Sequence, residues 1–193
     1  MPLGTHKAAL FGVAGVSTGD VVLLSTQTAS GASEIEFTSG IDSTYGEYIF
    51  KFYNINPDTS SNFQFEGSTN SGSSYGVTKT TTAILPYHNE DDSGTGLYYE
   101  TNTDHAQSTS AQTLGSPAND ADSGFTGELH LFSPASTTYV KNFYTTSSYF
   151  TSVPYAGNMM IGGYFNTTSA VDAVQFTMSS GNFDGTIKMW GVK

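Results

Sequence analysis

Cysteine and arginine are both absent from this sequence of 193 residues. Without cysteine the chain forms no disulfide and no thiolate metal site, and the sequence leaves its redox compartment open. The six positive side chains are all lysines, against 17 Asp and Glu, and the formal net charge is −11. Nucleic acids and anionic membranes attract basic surfaces, and arginine forks are the usual phosphate ligands. We therefore expect neither nucleic acid nor membrane as a partner.

Long hydrophobic runs are also lacking. No stretch approaches the roughly 20 apolar residues of a membrane-spanning helix. The opening "MPLGTHKAALFGVAG" has one early lysine and only a short apolar run broken by glycine, which differs from a secretory signal peptide. The sequence therefore predicts neither a membrane span nor Sec-dependent secretion.

Aromatic residues and turn formers are abundant. The chain contains 13 Phe, 12 Tyr and 21 Gly, while charged residues make up only 12%. Aromatic and β-branched residues favour strands, and no stretch of any length has the periodicity of an amphipathic helix. A chain of this length forms one domain of ordinary size, so we expect a single all-β domain.

Alternation of apolar and polar residues predicts about ten strands. In "EIEFT" (34–38), Ile35 and Phe37 share one face, and Glu34 and Glu36 share the other. The remaining predicted strands are 21–28, 47–55, 62–69, 75–85, 127–133, 137–150, 159–165, 171–178 and 185–192. Short strands at close spacing, without intervening helices, favour an antiparallel two-sheet sandwich of jelly-roll type.

Two segments differ from this strand series. Residues 1–20 are Gly-rich and without period, which predicts an N-terminal arm ahead of a β-sandwich domain at 21–193. Residues 86–125 are acidic and nearly free of aliphatic side chains, which predicts a long loop segment within that domain.

The acidic segment contains "NEDDSGTGLYYE" (89–100), whose spacing is that of a calcium loop. Its candidate ligands are Asp91, Asp92 and Glu100. Neither flank has helical periodicity, the first position is Asn rather than Asp, and Gly96 stands where an apolar residue normally packs the loop. The favoured interpretation is a solvated acidic turn, and we expect no metal and no cofactor.

Catalytic patterns are weak. "GVSTG" (15–19) matches a nucleophile elbow around Ser17, but a strand rather than a helix follows it. Glu34 and Glu36 stand about 7 Å apart on one strand face, a spacing compatible with acid and base roles but also typical of solvent-facing strand residues. The four histidines have no metal-binding spacing. The sequence therefore predicts a protein without catalytic activity.

Four stretches resemble a family of small virion surface proteins and fibre-tip domains from tailed bacteriophages, especially marine ones. They are "GTHKAAL" (4–10), "FTSGIDSTYGEYIFKFYNINP" (37–57), "GELHLFSPASTTYVKNF" (127–143) and "TTSAVDAVQFTMSSGNFDGTIKMWGVK" (167–193). The last is the most specific, because "SSGN", a "GTI" strand and an aromatic-Gly-aliphatic ending follow one another. Trp190 stands where tyrosine is common in the family. These motifs are structural and carry no catalytic residue.

The resemblance implies a virion structural protein, made in the host cytoplasm and carried on the phage particle surface. We expect a capsid decoration (cement) protein that forms a homotrimer and contacts the major capsid protein. Leu10 and Phe11 in the arm are candidate interface residues. The alternative is a tail fibre or tail-associated protein that binds host glycans, with stacking residues among Tyr98, Tyr99, Tyr149 and Tyr155.

Overall fold

The structure, a computed structural model, describes residues 20–193, so the predicted arm with Leu10, Phe11 and Ser17 lies outside the described residues. The described part contains thirteen strands and no helix. The strands are β1 (Val21–Ala32), β2 (Glu34–Phe37), β3 (Glu47–Pro57), β4 (Phe63–Ser68), β5 (Lys79–Asn89), β6 (Thr95–Tyr99), β7 (His105–Ser108), β8 (Gln112–Gly115), β9 (Phe125–Phe132), β10 (Lys141–Phe150), β11 (Tyr155–Phe165), β12 (Ala173–Met178) and β13 (Phe183–Val192).

The strands form two antiparallel sheets that pack against each other, which confirms the predicted two-sheet sandwich. The large sheet has nine strands in the order β1-β13-β3-β9-β10-β11-β5-β6, and β7 also pairs with β5. The small sheet has the order β2-β12-β4-β8. Since β10, β11, β5, β6 and β7 extend only the large sheet, that sheet is much wider than its partner.

Strands that follow one another in sequence often lie in opposite sheets. The order β1-β13-β3-β9 in the large sheet is matched by β2-β12-β4-β8 in the small one. The chain therefore enters and leaves the small sheet at each of its four strands. Such crossing is what interleaved Greek keys require. The jelly-roll topology stays a prediction, for which this order of eight strands is the support.

Phenylalanine builds the core between the sheets. Phe176 of β12 lies at its centre, with ring centroids 5.4 Å and 5.2 Å from Phe50 and Phe52 of β3. Phe63 and Phe65 of the neighbouring strand β4 lie 6.0 Å and 6.4 Å from the same ring. Rings at these separations contribute about 0.5–1.5 kcal/mol per pair beyond their area burial, so the aromatic content accounts for the sandwich without disulfides.

The segment 86–125 differs from its prediction as a long loop. It contains the end of β5, then β6, β7 and β8, and it reaches the start of β9. The predicted end of a strand at Pro86 is also wrong, because β5 continues to Asn89. Proline is tolerated there because no β11 partner is paired with Leu85 or Pro86, and a residue without N–H needs none.

Candidate functional site

The outer face of the large sheet, meaning the face turned away from the small sheet, carries large apolar side chains in partial contact with solvent. Val21, Leu23, Ile84, Tyr144 and Met160 are between 39% and 54% exposed. In β5, β10 and β11, the residues on either side of these positions point into the core. Large contiguous apolar patches are uncommon on monomeric proteins and mark interaction sites.

The strand register aligns these residues into continuous rows. One row crosses seven strands from β1 to β5 and consists of Leu23, Trp190, Ile49, His130, Tyr144, Gly162 and Thr82. The next row contains Met160 beside Ile84, one step further along the strands. The face is therefore a continuous surface and not a set of scattered side chains.

The sequence signals this face through runs of three apolar residues within strands, which the strand prediction above did not use. Apolar triplets occur in β3 at Tyr48-Ile49-Phe50, in β5 at 83–85 and in β11 at 159–161. An apolar residue between two core residues points to the opposite face, so both sides of the strand are apolar. Such triplets indicate a strand that carries apolar side chains on both faces.

Charges on the outer face nearly balance one another. Lys51 Nζ lies 3.3 Å from Glu128 Oε2, and Lys188 Nζ lies 5.2 Å from the centre of the Tyr53 ring. Glu47 and, at the far end of β13, the exposed Asp184 also point outward, so the strands that cross the face contribute three outward carboxylates and two lysines. Their formal sum is −1, whereas the whole chain carries −11.

His130 connects the charged and aromatic parts of the face. Its ring stacks on Tyr144 at 4.4 Å between centroids, and its Nδ1 lies 2.5 Å from Glu47 Oε1. Its Nε2 lies 3.2 Å from Glu128 Oε1 but forms no well-directed hydrogen bond. Burial raises the pKa of the Glu128 carboxyl, but contacts with His130 and Lys51 outweigh burial and hold that pKa below its usual range.

Two shallow depressions lie in this face. One, of about 430 Å³, is lined by Ile84, Tyr144, Met160 and Gly162. A Cβ built at Gly162 would meet only Thr82 Cγ2, at 4.0 Å, so the space above this glycine is open. The other depression, of about 370 Å³, lies beside Gly127 and the Lys51–Glu128 pair. Both are open hollows rather than enclosed ligand cavities.

The size of the face matches that of a protein interface. Seven strands and their outward residues cover roughly 30 Å by 30 Å, which is a flat area on the order of 900 Å². A standard interface buries about 800 Å² on each partner.

The calcium candidates lie apart along one hairpin. Asp91 and Asp92 belong to the β5–β6 turn, where Asp91 Oδ1 accepts a hydrogen bond from the Ser93 N–H at 3.0 Å and Asp92 contacts His88 at 3.2 Å. Glu100 follows the other end of β6, about 17 Å away at strand rise. The turn thus already has protein partners, and its carboxylates do not converge with Glu100.

Glu34 and Glu36 share one face of β2, as predicted, and meet Gln175 of β12. The Gln175 amide donates to Glu34 Oε2 at 2.6 Å and to Glu36 Oε1 at 3.4 Å. The pair therefore takes part in a cross-strand hydrogen-bond network. His88 and His105 do not meet: His105 pairs with Thr81, about 23 Å along β5 from His88.

The tyrosines proposed for glycan stacking differ in location. Tyr149 is only 4% exposed and packs against Phe125, so its assignment as a surface residue is wrong. Tyr98 and Tyr99 are 53% and 55% exposed, but adjacent strand residues point to opposite faces of the sheet. Tyr155 is half-buried beside Tyr87.

Within residues 20–193, no three His, Cys, Asp or Glu side chains lie close enough together to hold a metal ion. The same part of the chain has no helix with the length and hydropathy of a membrane span.

Comparison of the chain with protein-family models, with curated proteins and with solved structures gives no significant match.

Proposed function

We propose that this chain is a non-enzymatic structural protein of a phage virion that decorates the capsid as a homotrimer. The observation that carries the proposal is the outer face of the large sheet, which is apolar, continuous and nearly neutral, with a formal charge of −1 on a chain of −11. The phage assignment itself comes from the sequence resemblance described above.

The charge distribution favours self-association through this face. Copies that each carry −11 repel one another, and the repulsion is smallest where the approaching surfaces have no net charge. Burying apolar area of this size is worth roughly 25 cal/mol per Å², which offsets the cost of association. The number of copies, three, follows from the resemblance, since decoration proteins occupy three-fold positions.

Attachment to the capsid is assigned to a different part of the chain. Leu10 and Phe11 are apolar residues in a Gly-rich sequence ahead of β1. If the outer face joins copies, these two residues are available for the major capsid protein. The combined substitution Leu10→Ser and Phe11→Ser should leave the trimer intact and remove binding to heads depleted of the native protein.

Immunoelectron microscopy tests the proposal directly. Particles purified from the source of the gene are labelled with an antibody raised against the folded protein. We expect gold distributed over the heads. Gold confined to tails would replace decoration with the tail-associated alternative, and particles without label would overturn the virion role altogether.

A further inference from the structure

A second surface lies at the opposite side of the large sheet from the outer face. Three tyrosines form it: Tyr87 of β5, Tyr98 of β6 and Tyr155 of β11, here called the tyrosine ledge. They lie on the inner side of the large sheet, at the end where it extends beyond the small sheet. Burial falls off there, from Ala83 at 0% through Leu85 at 7% to the half-buried Tyr87.

Glycines in the neighbouring strands set the orientation of these rings. Tyr87 is paired with Gly157 of β11 on one side and with Gly96 of β6 on the other. A Cβ at Gly96 would lie 2.5 Å from Tyr87 Cε1 and 3.2 Å from Tyr98 Cε2. The Tyr87 ring therefore lies across a strand that has no side chain at that position.

Tyr98 is held parallel to Tyr87. Their centroids are 5.4 Å apart with 10° between the planes, while Tyr155 meets Tyr87 edge-on at 5.4 Å and 66°. Since Tyr98 is 53% exposed and has a ring packed against one side, its free side is a preoriented flat apolar surface. This packing lowers the cost of ordering the side chain when a flat ligand binds.

Polar groups lie at the hydroxyl end of the stacked Tyr87 and Tyr98 rings. The hydroxyls of Tyr87 and Tyr98 lie 3.5 Å apart, and a Cβ at Gly94 would contact both Asn89 Nδ2 and Tyr87 Oη. The Asn89 amide in turn donates to Ser93 Oγ at 3.0 Å. Hydroxyl and amide groups at the edge of an aromatic plate match a sugar ring, which has an apolar C–H face and a rim of hydroxyls.

Charge restricts the class of sugar. No lysine occurs between Lys79 and Lys141, while Glu90, Asp91, Asp92 and Asp104 lie in or next to the hairpin that carries the ledge. This field repels uronic acids, sulfated sugars and phosphate-bearing polymers. We infer that the tyrosine ledge binds neutral oligosaccharides by stacking a sugar ring on Tyr98. The inference rests on the ledge alone and does not require the virion role.

Titration calorimetry of the full chain with neutral hexasaccharides tests it, using chitohexaose, cellohexaose and mannohexaose, with hexagalacturonate as the anionic comparison. We expect at least one neutral probe to bind and hexagalacturonate to bind more weakly. Tyr98→Ala should weaken binding about tenfold, the equivalent of one lost aromatic contact, and Tyr98→Phe should retain it.

Tyr99→Ala is the matched control, because Tyr99 is adjacent, is 55% exposed and points to the other face, where its hydroxyl donates to Asp104 at 2.8 Å. Its affinity should equal that of the wild type. The inference is overturned if no neutral oligosaccharide binds at concentrations up to about 10 mM. Equal losses in Tyr98→Ala and Tyr99→Ala, no loss in Tyr98→Ala, or stronger binding of hexagalacturonate would overturn it as well.

Discussion

Two of the lysines are buried and so do not contribute to the charge of the surface. Lys79 and Lys141 are both fully buried and flank Phe165 across the sheet. Lys79 Nζ donates to the Ser110 carbonyl at 2.5 Å, and Lys141 Nζ donates to the Tyr139 and Thr167 carbonyls at 2.9 Å and 3.1 Å. Burial lowers the pKa of both ammonium groups. Two of the six lysines are thus buried as donors to backbone carbonyls. The surface is therefore more acidic than the composition suggests.

Two adjacent glycines in β11, Gly162 and Gly163, allow a test of how close strand packing affects stability. A Cβ at Gly163 would lie 2.6 Å from the Thr80 carbonyl oxygen, a backbone atom that cannot move aside. We expect Gly163→Ala to lower the free energy of unfolding by about 1–3 kcal/mol, because overpacking strains both strands. Thermal melting should show a decrease of about 2–4 °C for each kcal/mol in a chain of this size.

Gly162→Ala is the control for that substitution. Its Cβ would meet only Thr82 Cγ2 at 4.0 Å, so the change should stay within about 0.5 kcal/mol of the wild type. Equal melting temperatures for the two variants would show that β5 yields at this position and that the close approach carries no stability.

At the scale of elements, alternation predicted most strands because each has one face in the core. Ile35 and Phe37 of β2 and Phe63 and Phe65 of β4 are buried where the pattern placed them. The pattern failed for β6, β7 and β8. Neither face of β6 is covered, since Tyr98 and Tyr99 are both exposed, and β7 and β8 have only four residues each. Alternation also missed the outer face. The apolar triplets mark strands that are apolar on both sides, but which side the second sheet covers depends on strand order, and strand order depends on contacts distant in sequence.

The β5–β6 hairpin yields a prediction for metal ions. Asp91 and Asp92 are engaged with Ser93 and His88, and Glu100 lies beyond the far end of β6. A calcium ion bound at a hundredfold excess over its Kd would stabilise the fold by about 2.7 kcal/mol. We expect no such gain, so melting curves in millimolar calcium and in EDTA should coincide. An increase of several degrees with calcium would show that these carboxylates rearrange around an ion.

For the whole molecule, the contrast between a nearly neutral apolar face and a net charge of −11 gives a test of the proposed association between copies. Repulsion between distant acidic groups is screened by salt, whereas burial of apolar area is not weakened by it. Raising the ionic strength from about 0.01 M to about 0.15 M shortens the Debye length from about 30 Å to about 8 Å. Native mass measurement or light scattering should therefore show the proposed trimer strengthened by salt.

Substitution on the face separates this mechanism from nonspecific association. Met160→Glu places a carboxylate beside Ile84 and Tyr144, where burial without a partner is costly, and should weaken the trimer at least about tenfold. Val153→Glu adds the same charge at a loop residue that is 65% exposed and lies off the face, so it should weaken the trimer only by the added repulsion, which salt removes. A monomer at all salt concentrations would contradict assembly through the outer face. Equal effects of the two substitutions at about 0.15 M would contradict it as well, because salt screens an exposed carboxylate but not a buried one.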